Sequence, residues 1–190
     1  MKPTLDHIII NCIKEERAAQ KELYEYTYTS LKNIIGLYLK DNTQHDWIFN
    51  IAMLKIYNSL PQLDKDSNYL GFARTIIVRT TIDHYRSTLN SRLVMVSKEM
   101  LEESNYIQTE MNEILNQIQT EDIIQLLYKL PENERMVFNL YELEGYSHKE
   151  IETLFGINQN TSKWLLTKAR LNMKTKVNLS SYIKDANNGK

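Results

Sequence analysis

Gln159, Asn160, Lys163, Trp164, Thr167 and Lys168 bring amides, ammonium groups and an aromatic edge together within one short stretch of the chain. Amides of this kind bond adenine through two contacts, a lysine reaches guanine or phosphate, and an apolar edge meets a thymine methyl. Thr161 and Arg170 lie in the same run and join the candidate set. Lys149, Arg170 and Lys174 suit phosphate oxygens, which add affinity and salt dependence but little sequence choice. Between Asn158 and Lys176 there are five cations and no acid.

The local sequence predicts how these residues are carried. Ser147 with Glu150 three positions on has the spacing of a capping box. Ile151, Leu154 and Phe155 then form an apolar stripe at helical period. Gly156 suits a left-handed C-terminal position. Asn158 or Asn160 can cap a second helix, with Ser162, Leu166, Ala169 and Met173 on its buried side. Two helices joined by a tight turn, the second with a cationic face, predict a helix-turn-helix that reads duplex DNA.

A second basic set lies upstream. Arg74, Arg79, Tyr85, Arg86 and Arg92 combine cations with an aromatic ring, the combination that holds unpaired bases. Asp83 is spaced to pair with Arg79 or Arg86 on a helix surface. From Ser67 to Lys98 there are five cations and one acid, and from Glu99 to Asp122 seven acids and no cation. The formal net charge of −1 therefore conceals two basic modules separated by an acidic connector.

With five Gly and three Pro in 190 residues, the expected fold class is all-α, in two helical domains. Leu5–Leu39 is expected to form one or two amphipathic helices, with Ile9, Ile13, Leu23, Tyr24, Tyr28, Leu31, Ile34, Ile35 and Tyr38 at helical spacing. A helix over His45–Leu60 ends at Pro61, and Tyr69–Asn90 forms another. Within it, Thr75–Ile82 favours a strand by propensity. It is assigned to helix because a lone strand finds no partner in this chain. Helices over Gln125–Leu130 and Pro131–Leu143 follow. The expected boundaries are a first domain over 5–95, an acidic linker over 96–122, a helix-turn-helix domain over 123–177 and a flexible tail over 178–190. The linker reads either as a partly ordered helix or as an extended segment.

Several function classes are excluded by pattern. The four His residues have no ligand spacing with Cys12 or with one another, and no glycine-rich phosphate loop or nucleophile elbow is present. Neither an enzyme nor a cofactor or metal is expected. The single Cys fits a reducing compartment. No signal peptide pattern or membrane-length apolar run appears, so the expected location is cytoplasmic.

Read together, Leu130-Pro-Glu-Asn-Glu-Arg135, Phe138 to Ile151, Gly156-Ile157, Thr161-Ser-Lys163 and Lys168-Ala-Arg170 resemble region 4 of the extracytoplasmic-function sigma factors, the smallest class of bacterial transcription initiation factors. Ala19-Gln20, Leu23-Tyr24, Tyr38 to Asp41 and Ile82-Asp83-His-Tyr-Arg86 resemble the two ends of region 2, in a style similar to Bacteroidetes-type factors. The resemblance spans roughly Asp6 to Lys176. It implies binding to core RNA polymerase and promoter DNA, with an anti-sigma factor as a further partner. Region 4 would read the −35 element through the Gln159–Arg170 set. Region 2 would open the −10 element through Arg74, Arg79, Asp83, Tyr85 and Arg86, and would meet the polymerase clamp through Asp46, Trp47, Asn50, Ile51 and Leu54. Where such factors carry Asp-x-x-Gln-Glu-x-Phe, this chain has Trp47, Asn50, Ile51 and Met53. Two alternatives accompany this reading: a helix-turn-helix regulator that does not engage polymerase, and a protein-interaction adaptor docking through Trp47, Ile51, Trp164 and Leu165.

Overall fold

This computed structural model describes residues 4–64, 67–88 and 125–188, with side chains as far as Thr175 in the last helix. The chain divides into two compact units, Met1–Thr88 and Leu89–Lys190. Every regular element among the described residues is helical, as the composition leads one to expect. Arg92 and the acidic 96–122 segment lie outside the described residues.

The first unit contains α1 (Leu5–Ile13), α2 (Arg17–Leu31), α3 (Ile34–Tyr38), α4 (His45–Ser59) and α5 (Tyr69–Thr88). The expected one or two helices over Leu5–Leu39 are in fact three. The first break comes at Lys14–Glu16, where Glu15 takes a positive φ of 62° that no glycine or proline announces. On α1 the buried pair is Ile8 and Cys12, one residue out of step with the expected Ile9 and Ile13, and Ile13 is exposed. A short helix can satisfy two neighbouring apolar stripes, and the packing of α1 on α2 selects one.

Ala19, Leu23, Thr27 and Leu31 form a straight i, i+4 line on α2 and turn inward. Opposite them, α4 buries Ile48, Phe49, Ala52, Met53 and Ile56 against α5. A buried hydrogen bond between the Thr27 hydroxyl and the Tyr69 hydroxyl, 2.6 Å, joins α2 to α5. The β-branched run in α5 is helical throughout. Thr75 and Thr81 turn their hydroxyls back onto the carbonyls of Gly71 and Ile77 at 2.9 and 2.8 Å, while Ile77, Val78 and Ile82 enter the core. Burial outweighs a propensity difference of a few tenths of a kcal/mol per residue.

Among the described residues of the second unit, a helical turn at 125–128 comes first, and its Leu126 and Leu127, with Leu130, are buried. Then come α6 (Glu132–Phe138), a π-helical turn (Asn139–Leu143), α7 (His148–Phe155) and α8 (Gln159–Asn188). The expected single helix over Pro131–Leu143 is thus interrupted by a widened turn. The α8 backbone remains helical past position 178, where a loose tail was expected.

Candidate nucleic-acid interface

The helix-turn-helix is assembled by local chemistry. Ser147 accepts the Glu150 amide, and the Glu150 carboxylate accepts the Ser147 amide at 2.8 Å and its hydroxyl at 2.7 Å. This is the reciprocal cap that the spacing predicts. At the other end Gly156 adopts φ 75°, ψ 21°, and its N–H donates to the Glu152 carbonyl. A residue with a Cβ is strained in that conformation. The next helix is started by Asn158, whose side chain accepts the Thr161 amide at 2.7 Å. Gln159 donates to Glu152 at 2.7 Å, tying α7 to the first residue of α8.

Ser162, Leu166, Ala169 and Met173 are all buried, as the periodicity predicts. The buried face is nevertheless wider than that line, because α8 packs on both α6 and α7. Thr161 (6% exposed), Leu165 (4%) and Arg170 (3%) are also inside. Thr161 and Arg170 therefore leave the set of outward-facing candidates, and Leu165 leaves the proposed adaptor surface. Arg170 is held by Glu142 of the π-helical turn, with Nε and Nη2 donating to one carboxylate oxygen at 2.9 and 2.5 Å. Its guanidinium also lies 5.7 Å from the Tyr141 ring centre.

Asn160 and Lys163 remain exposed, with Gln159, Trp164, Thr167 and Lys168 half-buried beside them. The Lys168 ammonium sits 5.9 Å from the Trp164 ring centre, so the cation is held beside an aromatic edge. Lys149 is exposed at the start of α7 and Lys174 half-buried further along α8. The face as a whole offers amides, two ammonium groups and an indole, with no acid between Asn158 and Lys176.

Contacts behind this face were not legible in the sequence. His148, the first residue of α7, places Nδ1 2.9 Å from the Ser162 hydroxyl of α8. Its ring stacks on Tyr141 at 4.6 Å and 24°. Burial, then Lys163 and Arg170, lower its pKa from the ordinary histidine value. The only sequence signal for these contacts was the polar character of residues 141, 142 and 148 beside a helical hairpin.

Residues 120–173 match the family described as Sigma-70, region 4. The C-terminal unit carries a sigma-70 region 4 domain. Within region 4, the outward set on α8 lies on the second helix of the helix-turn-helix. Over 157 residues the chain is 25% identical to the RNA polymerase sigma factor SigZ of Bacillus subtilis (strain 168), an alignment covering 81% of this chain and 84% of that protein. The two findings support a sigma-70 family member with a sigma-factor-like role in transcription.

In the first unit the expected set divides. Arg79, Asp83 and Arg86 are exposed and share the outer side of α5, and Arg74 is half-buried. Asp83 pairs with Lys55 of α4 at 3.5 Å, a cross-helix partner that neither of the expected arginine pairings anticipated. Tyr85 is 4% exposed and packs in the core, so it is not available as a stacking platform. On α4, Asp46, Trp47, Asn50 and Leu54 are exposed and Ile51 half-buried, all on one side of the helix. Trp47 (56% exposed) makes an edge-type contact with the His84 ring at 5.4 Å, and Leu54 is 60% exposed. Tyr24 donates to Asn50 at 2.8 Å and Tyr28 to Asp46 at 3.3 Å, which orients the polar members. Among the described residues no group of His, Cys, Asp or Glu could hold a metal ion. No helix among them is long and apolar enough to cross a membrane.

Proposed function

We propose that this chain is a sigma factor of the extracytoplasmic-function class, which brings core RNA polymerase to promoters and starts DNA-templated transcription. The observation that carries the reading is the outward side of α8. Its buried side is closed by apolar packing and the Arg170–Glu142 pair, leaving Gln159, Asn160, Lys163, Trp164, Thr167 and Lys168 outward. Those six would read the −35 element, with Lys149 and Lys174 on phosphates. Arg74, Arg79 and Arg86, with Asp83 beside them, would act at the −10 element.

Core RNA polymerase would dock on the Asp46, Trp47, Asn50, Ile51 and Leu54 side of α4. The exposed Trp47 and Leu54 make that contact more apolar than a carboxylate-based one, and the patch needs a partner to cover it. An anti-sigma factor that holds the protein silent is the further partner this class implies, and a cytoplasmic location accompanies the role.

Duplex binding at increasing salt tests the reader assignment. A phosphate-contacting protein loses affinity as a power of salt concentration. Lys163→Ala with Lys168→Ala is expected to weaken binding and to lower the salt slope by about one per phosphate contact removed. Unchanged affinity and slope in the double variant would remove α8 as the DNA reader.

A further inference from the structure

The DNA-reading side of α8 is positioned from behind by a polar cluster drawn from three elements. Tyr141 of the π-helical turn stacks on His148 of α7, and His148 contacts Ser162 on the fully buried side of α8. Ser162 lies directly beside Lys163, one of the outward cations. Along the same helix Arg170 closes the cluster onto Glu142 and the Tyr141 ring. Beside the apolar packing of α8, an ionisable ring at the start of α7 therefore touches its buried side.

Every charge near that ring bears on whether it can accept a proton. On α8, Lys163 and Arg170 oppose a further cation. As the first residue of α7, His148 also faces the positive end of that helix. The nearby acids of the turn and of α7 itself have partners of their own. Glu142 holds Arg170, Glu150 holds Ser147 and Glu152 holds Gln159. Glu144, directly after the turn, also makes an interaction, and Lys149 adds another cation on α7. Burial works in the same direction.

We propose that His148 is a positioning residue for the DNA-reading helix, and that the seat of α8 holds only while its imidazole is neutral, so that acidification weakens DNA binding by this domain. This rests on the reading of α8 as the DNA-contacting helix. The direction is opposite to the usual one, in which a protonated histidine adds a cation and strengthens phosphate binding. Because the folded-state pKa is lowered, the folded unit binds fewer protons than the unfolded chain. Its stability contribution is fully present above the unfolded value near about 6.5 and is lost as pH falls through the folded value. His148 is the only histidine after His84, so a histidine titration in the second unit is assignable to it.

The test uses the full chain and a duplex that the chain itself selects from a random-sequence library at about pH 7.5. Affinity is followed from about pH 7.5 to about pH 5 for the native chain and His148→Asn, which keeps a polar atom near Nδ1 but does not titrate in this range. Binding by the native chain is expected to fall roughly tenfold more than binding by His148→Asn, a coupling of ordinary allosteric size. Identical pH profiles for the two proteins would overturn the proposal. The imidazole is also followed by NMR in the chain without DNA, where it is expected to titrate below the ordinary histidine range. In Ser162→Ala, which keeps the ring titratable, removal of the contact is expected to lower the unfolding midpoint of the second unit. An ordinary imidazole titration together with an unchanged Ser162→Ala midpoint overturns the proposal. If no duplex is selected at any pH while the titration and midpoint behave as expected, it is the DNA-reading assignment that fails, and the DNA-binding part of the proposal falls with it.

Discussion

Arg170 shows how far a residue's role depends on what stands opposite it. By type and position it belongs with the cations of α8, yet its guanidinium is buried and bonded twice to Glu142, whose own side chain is only 16% exposed. Removing one partner from such a pair leaves an uncompensated charge with little access to water. Arg170→Met is therefore expected to destabilise the second unit by about 3 kcal/mol, and Arg170→Met with Glu142→Leu to recover most of that loss. Urea unfolding followed by Trp164 fluorescence in a Trp47→Phe background measures both. Equal losses in the single and double variants would mean that packing, not the ion pair, sets the cost. Cys12 gives a quieter case. Its burial, helped by Glu16 and Glu22, pushes the thiol up to about 11, consistent with a packed small residue rather than a sensor.

Among the elements, α7 owes most to its ends. It has eight residues, too few to persist by propensity, so its caps and its packing of Ile151 and Phe155 must hold it. The Ser147–Glu150 box satisfies amides that would otherwise lack partners, and Gly156 closes the last turn. Ser147→Ala is expected to cost about 1 kcal/mol, seen as a lower urea midpoint with an unchanged m-value. A variant with the native midpoint would show that the cap is redundant with packing. The π-helical turn after α6 has a different consequence. It lets the consecutive residues Tyr141 and Glu142 both serve the back of the helix-turn-helix, one on His148 and the other on Arg170. Such widened turns commonly occur where an α-helix is bent to functional use.

At the scale of the whole molecule, two units with separate cores carry two separate surfaces. The second presents amides and cations, while the first presents Trp47 and Leu54 beside Asp46 and Asn50. A role in transcription initiation needs both, because a DNA reader without a polymerase contact is only a regulator. On size exclusion the full chain is expected to co-elute with cognate core RNA polymerase as a stoichiometric complex. Trp47→Glu with Leu54→Glu is expected to abolish the complex while leaving helix content unchanged, since both side chains are exposed. A double variant that still co-elutes would exclude this side of α4 as the contact. Failure of the native chain to bind, with duplex binding intact, would favour the polymerase-independent regulator.

The helix-turn-helix was legible in the sequence because its determinants are local. The Ser147–Glu150 spacing, Gly156 and the Ser162–Leu166–Ala169–Met173 line each act within a few residues, and all appear as expected. The helical state of Thr75–Ile82 was legible too, by elimination of a strand partner. Which of two adjacent stripes on α1 is buried, and that Thr161, Arg170 and Tyr85 face inward, depended on neighbours distant in sequence. The pairing of Arg170 with Glu142 and the seat of His148 on Ser162 span 28 and 14 residues. Periodicity reports that a side chain lies on a given line of a helix. How wide the buried face becomes, and which charge is neutralised within it, is decided only when a second and a third helix pack against that line.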